Sequence, residues 1–135
     1  MTFLVDANVL SEATKPKPNA RVVQWLRDNE SQIVVDPIIL GEILFGIHLL
    51  LASKRKRRLE KWFHDGVARI TCLDWNAETG IRWAKLLADL RLAGRTMSIK
   101  DSLIAATALH HGLTIATHNL ADFRVAGVPL VDPFV

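Results

Sequence analysis

Tyrosine is absent from the sequence and cysteine nearly so, Cys72 being the one thiol. A single cysteine excludes a disulfide within the chain, which suits a reducing compartment. Because it lies in the apolar run Ile70-Thr71-Cys72-Leu73, it is expected to be a small buried hydrophobe. Without tyrosine, specificity cannot rest on phenolic contacts. Zinc-binding spacing is missing, since His110 and His111 are adjacent and face different sides of a helix. Long hydrophobic runs are missing as well: the longest, residues 43–52, is interrupted by His48 and is too short to span a bilayer. The first residues carry no basic stretch and meet an acid at Asp6, so a soluble, unsecreted, cytoplasmic protein is expected. Charge of one sign is scarce, 17 basic against 14 acidic residues giving +3, which permits nucleic-acid contact without requiring it.

What the sequence does have is enough apolar content, 50% of 135 residues, for one sizeable core and a single domain over residues 1–135. Short apolar runs at 3–5, 33–35, 70–73, 113–116 and 130–131 predict strands, mostly continuous and therefore buried on both faces. Helical patterns occupy 20–28 after Asn19, 38–52, 57–64, 77–93 after Asn76, and 99–111 closed by Gly112. Strands alternating with helices predict an α/β fold with a central parallel sheet of about five strands. Ligands of such sheets bind beyond the carboxyl ends of the strands, where Asp6, Asp36, Asp74 and Thr117-His118-Asn119 fall.

Four carboxylates stand out, each with a structural explanation beside the functional one. Asp6 follows the first strand directly, as a turn or cap residue also would. Glu42 shares its helical stripe with Ile38, Ile39, Phe45 and Gly46, so it needs a cation or strong donors; Lys100 or Arg95 would serve as an ion-pair partner. Asp101 stands three residues after Ser98, the spacing of a capping box. Asp122 stands three after Asn119, again compatible with a cap and the first turn of a short helix.

Strand ends and helix starts nevertheless bring these acids toward one sheet edge, which four independent caps would not require. Carboxylates packed together repel by about 4 kcal/mol per pair at roughly 4 Å and an effective dielectric of about 20, so they must protonate or hold cations. An all-oxygen set selects Mg²⁺, with Mn²⁺ as substitute, and such a cluster suits phosphodiester hydrolysis.

The ordered segments Asp6-Ala7-Asn8-Val9-Leu10-Ser11-Glu12, Gly41-Glu42-Ile43, Asp101-Ser102-Leu103-Ile104-Ala105-Ala106-Thr107-Ala108 and Thr117-His118-Asn119 with Asp122-Phe123 make the chain resemble the PIN-domain nucleases over nearly its whole length. More narrowly, it is similar to VapC-type toxins of bacterial toxin-antitoxin pairs. The resemblance implies a three-layer α/β/α fold and a Mg²⁺-dependent endoribonuclease acting on tRNA or another structured RNA. It matches Asp6, Glu42, Asp101 and Asp122 to the family's acidic positions. It also implies that Asn8, Ser11, Thr117 and Asn119 orient the acids, the attacking water or a phosphate, capping being an equal account of Ser11. A VapB-like antitoxin would cover the site. Two positions depart from the family's pattern. Asp36-Pro37 stands where a small hydroxyl residue is common and reads as an N-cap followed by proline at the first helical position. His118 stands where many relatives carry Arg; it either donates to phosphate or is an exposed loop residue.

The run Lys54-Arg55-Lys56-Arg57-Arg58 could hold RNA phosphates that the acids would repel, or simply start a solvated helix. Trp25, Trp62, Trp75, Trp83 and Phe45 read as core or interface rather than base-stacking residues. The apolar surface of 43–52 and the Trp-bearing helices is consistent with a homodimer and an antitoxin groove. The competing function is a catalytically silent RNA- or protein-binding module. A phosphotransferase with Asp6 as nucleophile is disfavoured, because Asn8 stands where a second acid is expected.

Overall fold

The structure is a computed structural model describing residues 1–135. The elements in chain order are β1 (Phe3–Val5), α1 (Ala7–Glu12), α2 (Ala20–Asp28), β2 (Ile33–Val35), α3 (Pro37–His48), α4 (Lys54–Asp65), β3 (Thr71–Cys72), α5 (Ala77–Leu92), α6 (Ile99–His111), β4 (Thr114–Ala116), α7 (Leu120–Arg124) and β5 (Leu130–Val131). The strands form one sheet in the order β3-β2-β1-β4-β5, and every pairing is parallel.

The chain runs outward from β1 through β2 to β3, then returns to the other side of β1 for β4 and β5. Right-handed crossovers in opposite directions put the two sets of helices on opposite faces. Accordingly α1, α2, α3 and α4 pack among themselves, as do α5, α6 and α7, giving the three layers. The two layers meet where α3 packs against α6. The reversal between β1 and β4 opens a crevice beyond their carboxyl ends, the place where such sheets bind ligands. No helix is long and apolar enough to cross a membrane.

Local chemistry explains most element boundaries. Asn19 caps α2 by accepting from the Arg21 and Val22 amides. Asn76 and Thr79 close a reciprocal capping box on α5. At the end of α6, Gly112 adopts φ +66°, a left-handed turn that only glycine takes without penalty. The α6 sequence Ile104-Ala105-Ala106-Thr107-Ala108 is fully buried, its small side chains allowing close packing.

Three expectations are corrected. Cys72 is exposed, because β3 is a two-residue edge strand with nothing beyond it. Burial on both faces holds for central β1, weakens at β2 and β4, and is lost at the edges. The apolar run of 43–52 ends as a helix at His48, and Ser53 then caps a new helix by accepting from the Lys56 amide, so α4 begins at Lys54 rather than 57. Helix α1, which no periodicity announces over six residues, was not expected.

Asp36 has no exposed surface. Its Oδ1 accepts from the Ile39 amide at 2.9 Å, and its Oδ2 accepts from Thr107 Oγ1 at 2.7 Å, tying α3 to α6. Burial raises its pKa, against those two hydrogen bonds. Thr107→Val would leave a buried carboxylate oxygen unpaired. Denaturant unfolding of that variant is expected to show a loss of about 1–3 kcal/mol.

Candidate active site

Asp6 is the first residue past β1, and its amide donates to Ala116 O at 2.9 Å, so it sits at the crevice between β1 and β4. Its Oδ1 accepts from the Ala7 amide at 2.8 Å at the start of α1. Its Oδ2 accepts from Thr117 Oγ1 at 2.8 Å and from Asn8 Nδ2 at 3.2 Å. Asn8 Oδ1 in turn accepts from the His118 amide at 3.1 Å, and Thr117 Oγ1 accepts from the Asn119 amide at 3.0 Å. The two strand ends are thereby laced together around one carboxylate. Asp6 is only 4% exposed and takes part in no ion pair. Burial pushes its pKa up to about 6; the charges of Glu42 and Asp101 add to the rise, while the Thr117 and Ala7 bonds oppose it.

Glu42 arrives from α3 and Asp101 from the first turn of α6, where the two helical layers touch. Lys100 Nζ lies 2.8 Å from Glu42 Oε2, so the ion pair considered for Glu42 is present, with Lys100 rather than Arg95. Oε2 is buried, and this short contact is its one partner. Glu42, helped by Asp101 and Asp6, holds the Lys100 ammonium above its ordinary pKa despite partial burial. Ser98 caps α6 by accepting from the Asp101 amide at 3.2 Å. Burial raises the Asp101 pKa, with Asp122 and Glu42 adding to the rise and Ser98 and Lys100 opposing it. Asp122, on α7, is exposed and in no ion pair.

The four acids thus share one electrostatic neighbourhood at the reversal of the sheet. Their side chains do not close into a cage of three metal ligands as they stand. The donor set fits a divalent cation: Asp6 is buried with no basic partner, the buried Glu42 oxygen has Lys100 alone, and the four side chains offer oxygen donors only.

The remaining positions divide clearly. Asp36 is spent on its cap and on Thr107, and Asp74, past the edge strand, is exposed. Ser11 lines a groove of about 380 Å³ with Asn8, Glu42, Lys15, Arg55 and Trp62, so the basic run reaches the site through Arg55. The Asn119 side chain makes no cap bond to α7. Trp75 and Trp83 donate to Leu103 O and Ser102 Oγ, and Trp25 packs on Phe3, leaving Trp62 as the tryptophan facing the groove. Phe45 is exposed on α3, as is Leu49 just beyond its end. His118 lies over Phe134, with Nδ1 3.2 Å from the buried carboxylate of Asp132. Sequence reasoning gave Asp132 no role, although it follows β5 just as Asp6 follows β1.

Residues 3–128 match the PIN domain family. The chain is 32% identical to Toxin FitB of Neisseria gonorrhoeae, covering 98% of both chains. It is 30% identical to VapC ribonuclease Y4jK of Sinorhizobium fredii, over 98% of this chain and 97% of that one. Among solved structures, FitAcB from Neisseria gonorrhoeae superposes with a TM-score of 0.91 at 30% identity, over 98% of this chain and 99% of that one.

Proposed function

The chain belongs to the PIN-domain family, and from that premise we propose that it is a Mg²⁺-dependent endoribonuclease, the toxin of a VapBC-type toxin-antitoxin pair. The observation that carries the reading is Asp6: a carboxylate 4% exposed, without a basic partner, facing the charges of two further acids. A fold that only needed a cap there would not retain so unfavourable a charge. Relatives spanning the whole chain are named a toxin and a ribonuclease.

Asp6 and Asp101 would hold the ion, with Glu42 and Asp122 beside them; bound there, it would supply an activated water and offset charge on the non-bridging phosphate oxygens. Thr117 and Asn8 hold the Asp6 carboxylate in one orientation, and Asn119 and Ser11 border the place where a phosphate would lie. The basic start of α4 supports an RNA path along the groove. Cations in the first turn of a helix oppose its dipole, at about 0.3–1 kcal/mol each, so the placement of Lys54, Arg55 and Lys56 does not serve the helix. Exposed Phe45 and Leu49 support a homodimer, and the groove beside the acids suits coverage by a VapB-like antitoxin.

The rival reading, a silent binding module, draws on the Glu42–Lys100 pair. The two separate in a cleavage assay. Purified protein should cut RNA in Mg²⁺ or Mn²⁺, stop in EDTA and recover on metal addition, and Asp101→Ala should lose cleavage while keeping its circular dichroism. Undiminished cleavage by Asp101→Ala would refute the site. In the non-cleaving Asp101→Ala background, Arg55→Gln should weaken RNA binding and reduce the slope of log affinity against log salt by about 0.7–1. An unchanged slope would remove Arg55 from the RNA path.

A further inference from the structure

A cation of the chain itself lies among these acids. Lys100 directly precedes Asp101 in the first turn of α6 and reaches across to Glu42 on α3, so one ammonium bridges the two helices that bring acids to the site. Its contact with Glu42 is short, 2.8 Å, and it is the one partner of buried Oε2. That oxygen therefore depends on a single cationic donor, where a settled buried carboxylate acquires several. The two partners also differ in exposure. The Lys100 side chain is 53% exposed and that of Glu42 28%, so the flexible lysine can withdraw into water while Glu42 stays at the site.

We propose that Lys100 is a positioning residue that holds Glu42 in the metal-free protein and sets the cluster's affinity for divalent ions, by occupying at Glu42 the place an entering ion must take. The inference rests on the reading of the four acids as a metal site. Ion binding is then an exchange: the ammonium leaves Glu42 for solvent, and the carboxylate turns to the incoming ion. The same ammonium that lessens repulsion among the empty acids weakens their hold on metal.

The test is calorimetric titration of EDTA-stripped, dialysed full-length protein with MnCl₂, with melting temperatures recorded alongside. Lys100→Met, which keeps an apolar stem, should bind Mn²⁺ about tenfold more tightly than wild type and melt at a lower temperature without metal. Lys100→Arg, which restores the charge, should stay within about threefold of wild type. In a Glu42→Gln background the gain from Lys100→Met should shrink to less than about twofold, because the lysine acts through Glu42. Should Lys100→Met misfold, Lys100→Gln takes its place with the same expectations. Mn²⁺ binding by Lys100→Met or Lys100→Gln no tighter than wild type, or a full gain that persists in Glu42→Gln, would overturn the proposal while leaving the metal site intact. Absence of Mn²⁺ binding in wild type and Lys100→Met alike would overturn the metal-site reading itself, and this proposal with it.

Discussion

Asp6→Asn is expected to abolish RNA cleavage and, at the same time, to raise the melting temperature of the metal-free protein at pH 7.5. The loss of activity should be about 10³-fold, the scale on which removing a group that stabilises transition-state charge is felt. The gain in stability follows from burial. Asp6 is raised from 3.8 to about 6, so keeping it ionised at neutral pH costs on the order of 1–3 kcal/mol. Asparagine carries no charge and keeps an oxygen for the Ala7 amide, and the Thr117 hydroxyl can turn from donor to acceptor; the bond from Asn8 Nδ2 is lost, about 0.5–1.5 kcal/mol against the charge penalty removed. A rise of several degrees in a thermal melt is the expected readout, at about 2–8 °C per kcal/mol for domains near this size. A variant that lost stability and kept its activity would make Asp6 a structural cap.

The second large effect is on pH dependence. A carboxyl whose folded pKa lies above its unfolded value binds protons more readily in the native state, so its contribution favours folding below the unfolded pKa and is lost as pH rises through the folded one. For Asp6 that window runs from 3.8 to about 6, and the raised Asp101 and Asp36 act in the same direction. The metal-free protein should therefore melt at a higher temperature at pH 5.5 than at pH 7.5, and the difference should shrink in Asp6→Asn. Protons and metal compete for the same oxygens, so saturating Mg²⁺ should reverse the trend, with stabilisation by the ion growing as pH rises. A melting temperature that falls on acidification without metal, and is insensitive to Asp6→Asn, would contradict the assigned electrostatics.

Much of the framework is legible in the residues. The runs at 3–5, 33–35 and 130–131 are strands at those positions, and Asn19, Asn76, Ser98 and Gly112 mark helix ends by chemistry that acts over a few residues. Asp36-Pro37 likewise caps α3. What resists local reading depends on tertiary neighbours. Nothing about Cys72 distinguishes an edge strand from a central one, because strand order is set by crossovers tens of residues long. Six-residue α1 spans fewer than two helical turns, too few for an apolar repeat to show, and is held by Asp6 and by packing on α2 and α3. The reversal between β1 and β4, which creates the crevice, is invisible until the strands are ordered.

The candidate site shows the same division. Asp6, Asn8 and Thr117 follow from strand-end position, and the structure joins them in one hydrogen-bonded network. For Glu42 the sequence offers two basic partners; the α3–α6 packing selects Lys100, since it lies in the first turn of α6, whereas Arg95 lies before the helix begins. Asp132 beneath His118 was equally accessible to the strand-end rule, and unlike Asp6 it is paired with an imidazole and accepts from the Phe134 amide.

The central claim is that the acids at the β1–β4 reversal hold a divalent ion. Anomalous diffraction from crystals soaked in MnCl₂ tests it most directly. The account predicts a peak with oxygens of Asp6 and Asp101 about 2.0–2.6 Å away, with Glu42 released from Lys100 and turned toward it. A protein fully active on RNA whose bound Mn²⁺ lay elsewhere, with Asp6 and Asp101 unligated, would contradict it.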